Sequence, residues 1–463
     1  MKYSIFIFRR DLRIIDNNGF KFAVENCNNI IPIFIFTPEQ IKDNNFKSNN
    51  AIQFMIESLK ELDLELKKFN SKLHVFQGDN NTILSKLIKK IDISDIIFNV
   101  DYTPYARKRD KQINFLCKEN NINCHLIEDY LLDDIGTYLK SNNEPYSIFT
   151  PFKNNLLKHQ IKKPKKYTIT NLIKKGNLSE DGYINYEKNK NILVNGGRKN
   201  GIKKLNQIKE QTKYNQNRNT LNINTTQLSA YIKFGCISIR EVYWKVKDIL
   251  GNKNDLISQL IWREFYFYIV YYYPKVLKGK NFNDKYDNMK WNKNKTNFMK
   301  WCIGETGYPI IDAGMRELNT TGYMHNRARL ITANFMNRIL GYDWRLGEKY
   351  YASQLTDYDP AVNNGNWQWI ASTGVDPKPY FQRLFNPWLQ SKRFDSECLY
   401  IKKWIPELKE IPPKEIHKWD EYYHNYDLKE INYFKPIVDY TIGRGKSIKM
   451  YQKMYEKQTA VKV

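Results

Sequence analysis

The chain has 463 residues, 41% hydrophobic and 27% charged, with a formal net charge of +25. That length supports roughly two to four domains with sizeable cores, and six scattered cysteines without a CxxC pair exclude a disulfide framework or a zinc site. No apolar run approaches the roughly 20 residues of a membrane-spanning helix, and a charge this positive, gathered on one face, draws in polyanions, so nucleic acid is the leading partner.

From the N-terminus, YSIFIF (3–8), IIPIFIF (30–36), KLHVF (72–76), DIIFNV (95–100) and CHLI (124–127) read as buried strands. Between them, 49–69 and 105–119 have helical spacing with polar faces. This alternation predicts an α/β domain over 1–130, Rossmann-like, with a five-stranded parallel sheet and helices on both faces. No GxGxxG follows the first strand, so a nicotinamide-dinucleotide site has no support. Over 131–215 the pattern decays into turn formers and lysines, as in KKPKK (162–166), and we read a connector between domains. From 216 the periodicity turns helical, predicting an all-α domain to 463. The abundance of Asn, Lys, Ile and Tyr fits an AT-rich gene, which inflates the charge. MKYSIFIFRRDLR has too short an apolar run for a secretory signal; the expected location is the cytoplasm, or the nucleus in a eukaryotic host.

Chemistry-bearing runs concentrate in the helical half. Thr225, Thr226, Gln227, Leu228 and Ser229 open a helix; taken alone this is a plain N-cap, but exposed amides and hydroxyls there also favour an anion. Gln259, Trp262, Arg263 and Glu264 lie together in IWREFYFYIVYYYP and its upstream flank, where most tryptophans are only interfacial packing. Asn326, Arg327 and Arg329 lie in TGYMHNRARL. DYDPAVNNGNWQW (357–369) sets Asp357, Tyr358 and Asp359 ahead of Asn363, Asn364, Trp367 and Trp369. Carboxylates and amides beside indoles suit a flat, hydrogen-bonding redox ring. Arg383, Gln390, Lys392 and Arg393, in PYFQRLFNPWLQSKRFD, suit a phosphate-tracking surface; singly, each is an ordinary solvated side chain. No acid–base triad is evident.

Together these runs resemble the photolyase/cryptochrome family, most closely the class I cyclobutane pyrimidine dimer photolyases, over nearly the whole chain and best over 214–404. FRRDLRIIDN (8–17) and DYTPYARKRD (101–110) resemble that family's antenna domain. The resemblance implies FAD, a carbon–carbon lyase activity driven by blue light, and UV-damaged DNA as partner, acted on by a monomer away from any membrane. It implies that Tyr214 and the 225–229 run hold the FAD pyrophosphate. Arg263, Arg329, Asp357, Tyr358, Asp359 and Asn363 then surround the ring, with Asn363 at its N5 edge. Gln259, Asn326 and Asn363 are the catalytic set. Arg218, Gln259, Trp262, Arg263, Asn326, Arg327, Trp369 and Gln390 face DNA, with Trp262 stacked on the flipped lesion; Trp369, with Trp301, otherwise reads as packing. Trp367, Trp344 and Trp291 match the electron relay from flavin to surface.

Three departures from the family pattern carry consequences. Gln259 stands where cyclobutane-dimer enzymes usually have glutamate, and glutamine is common in the (6-4) branch. That branch needs histidines where this chain has Asn326 and Leu330, so the cyclobutane lesion is favoured over the (6-4) lesion; Asn363, where plant cryptochromes have aspartate, favours a repair enzyme over a cryptochrome-like photoreceptor. Ala106 replaces the glutamate of folate-binding relatives, which weakens folate as a second antenna chromophore and leaves a deazaflavin, a second flavin or none. The PYFQRLFNP run carries one residue more than the PYFRIFNP form.

Overall fold

Strict period-2 alternation splits the sheet's side chains between two cores. In β1 (Tyr3–Phe8) and β2 (Ile30–Phe36), Phe6, Phe8, Phe34 and Phe36 pack in one hydrophobic cluster, while Ile5, Ile7, Ile31, Ile33 and Ile35 pack in another. With β3 (His74–Gln77), β4 (Ile93–Asn99) and β5 (Asn123–Ile127) they form a five-stranded sheet of order β3-β2-β1-β4-β5. All four pairings are parallel. The phenylalanine face is covered by α1 (Asn18–Asn26) and α2 (Asn49–Lys67), the isoleucine face by α3 (Asn80–Lys90) and α4 (Pro104–Glu119). Strands buried on both faces read as continuous apolar runs, which is why the sequence marks them so clearly. This computed structural model describes residues 1–42, 44–174, 176, 178, 180–376 and 380–459.

The connector has more order than its composition predicts. It contains α5 (Phe149–Leu156) and α6 (Arg198–Asn206), and it returns to the sheet at a parallel bridge between Leu172 and Ile30. α5 is short and has a proline within it, and α6 includes Gly201, where a Cβ would come within 3.0 Å of the Tyr231 ring. Close packing on Tyr231, invisible in local propensity, is what fixes α6.

The remaining chain is helical: α7 (Ser229–Lys233), α8 (Ile239–Leu250), α9 (Asp255–Tyr272), α10 (Pro309–Thr321), α11 (Asn326–Asn334), α12 (Trp344–Gln354), α13 (Pro360–Ile370), α14 (Pro387–Phe394) and α15 (Tyr440–Thr459). α9 is apolar on most of its circumference and lies at the centre, its residues from Glu264 to Val270 all buried. Caps set the boundaries: a Ser238–Glu241 capping box starts α8, and Asp359 with Pro360 starts α13.

The two halves are locked by buried charge. Arg13 and Arg240 share Asp129 at 2.5 and 2.7 Å, and Arg240 also bonds Asp16 at 3.0 Å. Burial pulls the Arg13 guanidinium down, but Asp129 and Asp16 outweigh it and hold it above the ordinary arginine range. Arg13 is the last residue of FRRDLR, so that run closes the first strand by anchoring it to α8. Among the described residues no helix is long and apolar enough to cross a membrane, and no cluster of His, Cys, Asp and Glu could hold a metal ion.

Candidate functional site

A cavity of about 280 Å³ opens between α7, α9, α11 and α13. Its wall joins residues far apart in sequence. Tyr214 and Arg218 come from the stretch before α7, and Thr225, Thr226, Leu228 and Ser229 from its start. Gln259 and Arg263 share one face of α9, four residues apart. Asn326, Arg329 and Leu330 come from α11. Asp357, Tyr358 and Asp359 precede α13, while Asn363 and Trp367 follow one and two turns along it.

Hydrogen bonds hold the polar members in place. Ser229 Oγ donates to Asp357 Oδ2 at 2.6 Å, and Arg329 Nη2 donates to the same oxygen at 2.9 Å. Burial lowers Arg329, but Asp357 more than compensates and its pKa rises. Asp359 is spent differently. Its Oδ1 caps α13 by accepting from the Ala361 and Val362 amides, and its Oδ2 takes the guanidinium of Arg10 and the hydroxyl of Tyr130. The carboxylate expected to face a cofactor is therefore turned to the sheet domain. Asn363 Nδ2 donates to the Glu348 carbonyl at 3.1 Å, and Asn364 Nδ2 donates to Glu348 Oε1 at 2.8 Å. Burial pushes the Glu348 carboxyl up to about 7.

Seven expected site residues lie off the cavity wall. Gln227 adopts a left-handed φ of 53°, so its side chain leaves the side occupied by Thr226 and Leu228. Its Oε1 accepts instead from Lys204 Nζ at 2.6 Å. Trp262 is stacked on Phe149, centroids 3.6 Å apart and planes 5° from parallel, so one indole face is already covered. Trp369 lies under the Arg383 guanidinium at 3.9 Å, and its carbonyl accepts from Arg383 Nη1 at 2.7 Å. Arg383 is only 2% exposed, which removes it from any phosphate-tracking surface; it donates instead to the Trp369 and Asp376 carbonyls. Gln390 is half-buried, with Oε1 lacking a partner.

Arg327 stands beside the cavity with Nε and Nη2 on Asn219 Oδ1, at 3.1 and 2.7 Å. Burial, then Arg218, then Arg393 pull it down to about 10, the pattern of clustered cations. Arg393 and Arg327 both lie over the Phe394 ring.

Of the indoles, Trp367 lies on the wall, its ring edge-on to Tyr351 at 4.9 Å. Trp344 is fully buried and donates Nε1 to Asn281 at 3.0 Å; Trp291 is half-buried against Tyr286 and Met289. Sequence reading missed Lys233 and Tyr323, which also line the cavity.

Family models match twice: "DNA photolyase" over residues 4–168 and "FAD binding domain of DNA photolyase" over 256–453. The deoxyribodipyrimidine photo-lyase of Escherichia coli is 32% identical, covering 96% of this chain and 97% of its own length. The chain belongs to the DNA photolyase family. An archaeal photolyase from Sulfolobus tokodaii, described with two FAD molecules, superposes with a TM-score of 0.85 at 39% identity, over 97% of this chain and all of its own. A Synechocystis cryptochrome superposes at 0.87 with 26% identity, over 97% of this chain and 99% of its own. This photolyase has a cavity chemically suited to FAD. Asp357 Oδ1 and Arg263 Nη2 are buried without partners among the described residues, on a wall that is otherwise largely aliphatic and aromatic.

Proposed function

We propose that this photolyase repairs UV-damaged DNA in a light-dependent reaction, splitting a flipped-out cyclobutane pyrimidine dimer with reduced FAD as cofactor. The observation that carries this reading is one cavity combining the FAD-type wall with Gln259 and Asn326, beside the cluster of Arg218, Arg327 and Arg393. Bound there, FAD supplies a one-electron donor that blue light excites.

The protein's residues bind, orient and exclude water. We assign Tyr214, Thr225, Thr226 and Ser229 to the pyrophosphate. Arg329 and Asp357 lie beside the ring as a fixed ion pair, and such a buried pair serves electrostatic tuning better than stability. Asn363 offers a neutral amide that accepts from or donates to a ring nitrogen without titrating. Trp367, Trp344 and Trp291 conduct electrons inward when the flavin is oxidised. Arg218, Arg327 and Arg393 track phosphates and hold the duplex while the lesion enters. We take 1–130 as the antenna half, 131–215 as the connector and 216–463 as the FAD- and DNA-binding half, acting as a monomer in a reducing compartment.

Leu330 on the wall favours the cyclobutane lesion, and Gln259 is compatible with it. The Gln259 amide donates to pyrimidine carbonyls at any pH. A (6-4) lesion requires proton transfer, and Leu330 has no proton to give. Ala106 is buried and offers no carboxylate to a folate, which favours a flavin-type second chromophore.

The test uses photoreduced protein with oligonucleotides carrying either lesion, illuminated with blue light. Restored thymines from the cyclobutane substrate alone are expected. Restoration from the (6-4) substrate moves the enzyme to that branch. Restoration from neither, with FAD bound and reduced, leaves a photoreceptor or a plain DNA-binding flavoprotein.

A further inference from the structure

Four cations line the cavity, and three face a carboxylate: Arg218 faces Asp255 at 3.1 Å, Arg263 faces Glu264 at 3.3 Å and Arg329 faces Asp357 at 2.9 Å. The fourth, Lys233, makes neither a hydrogen bond nor an ion pair through Nζ among the described residues. Its ammonium rests 3.3 Å over the Phe234 ring. A half-buried lysine whose ammonium touches no anion directly is costly, and such groups persist where a ligand completes them. Burial and then Arg10 pull Lys233 down to about 7, against the opposing pull of Asp359, Asp357 and Asp101.

Its position on the wall is fixed from behind. The Lys233 carbonyl accepts from the Tyr130 hydroxyl at 3.2 Å, and that hydroxyl also donates to Asp359 Oδ2 at 3.0 Å. Arg10 Nε bonds the same carbonyl at 3.4 Å while its Nη2 holds Asp359. Lys233 is thus pinned to the N-cap of α13, the helix that carries Asn363 and Trp367. Ser229 and the threonines assigned to the pyrophosphate lie a turn or more earlier. Two-electron-reduced flavin carries its negative charge on the pyrimidine edge of the ring, around N1 and O2, and a cation near that edge favours the reduced state.

We propose that Lys233 is the counter-cation of the reduced flavin ring, a positioning and tuning residue outside the motifs that mark the rest of the site. The inference rests on the cavity being the FAD site. Bringing the anionic ring against Lys233 gives the ammonium its missing partner, so the reduced cofactor binds more tightly than the oxidised one.

The experiment is a dye-equilibration reductive titration, in the dark, of FAD-loaded wild type, Lys233→Met and Lys233→Arg, together with FAD retention on gel filtration. Lys233→Met is expected to keep its FAD but lose at least tenfold of its preference for the reduced form, a fall of about 30 mV for a two-electron couple. Lys233→Arg is expected to restore the wild-type potential. An unchanged potential in Lys233→Met overturns the proposal. So does loss of FAD from Lys233→Met with an unchanged potential in the fraction still loaded, which assigns the lysine to the phosphates. A wild type that binds no FAD overturns the reading of the cavity itself. Lys233→Gln provides the same comparison where the methionine variant does not accumulate.

Discussion

Gly347 and Trp367 are in direct backbone-to-indole contact: a Cβ built on Gly347 would lie 2.2 Å from Trp367 Cη2. Gly347 is three residues into α12, whose first residue is Trp344. The missing side chain therefore lets the cavity-lining indole lie against the helix that carries Trp344, the next member of the proposed relay. Gly347→Ala should force the indole or α12 to shift, at about 1–3 kcal/mol for overpacking a filled core. A lowered melting temperature and slower photoreduction of oxidised FAD are expected. Unchanged values of both would show that the contact relaxes freely.

Trp367→Phe removes the readily oxidised indole and keeps an aromatic ring in its place. Photoreduction from oxidised FAD should fall by at least tenfold. Dimer repair should stay near wild type once the flavin is reduced chemically. Equal loss under both conditions would contradict the separation of the relay from the reaction centre.

Glu348 gives a pH prediction. Burial raises its carboxyl to about 7 in the folded protein, above its unfolded value, and Asn364 offsets only part of this. A carboxyl raised on folding costs nothing below its unfolded pKa. The cost grows as pH climbs between the two values and is complete above the folded one. Glu348→Gln keeps an acceptor for Asn364 and removes that cost. The variant should gain on the order of 3 kcal/mol relative to wild type at pH 8 and nothing at pH 4. Denaturant unfolding at the two pH values measures the difference, and a gain independent of pH would refute the assignment.

Arg327→Ala should weaken binding to damaged and undamaged DNA by similar factors and reduce the salt slope by about one counterion. Lesion preference should survive, because Gln259 and Asn326 are untouched. Binding titrations across a salt series provide the check; a selective loss for damaged DNA would place Arg327 on the lesion instead.

The sheet was legible because parallel strands buried on both faces leave unbroken apolar runs; the observed ends fall within about two residues of those read from the sequence. The cavity set was legible because Asp357, Asn363 and Trp367 fall inside one dense motif, the last two at helical spacing. Gln227 was misread because the sign of its φ, which decides the face it takes, leaves no trace in composition. Arg383 was misread because the carbonyls of Trp369 and Asp376 that bury it leave no trace in the local charge pattern. Lys233 carries no local signal at all. Its significance appears only when the partners of every other cation on the wall are known, and those come from α9 and the stretch ahead of α13.

Arg10 extends from the end of β1 to Asp359, the residue that starts α13. The first dozen residues are therefore structural material for a chamber whose chemistry is encoded more than two hundred positions later. Grafting a foreign sheet half onto this helical half would strip the chamber's rear brace. Exchange between relatives is constrained accordingly: the guanidinium and its distant carboxylate must be inherited together.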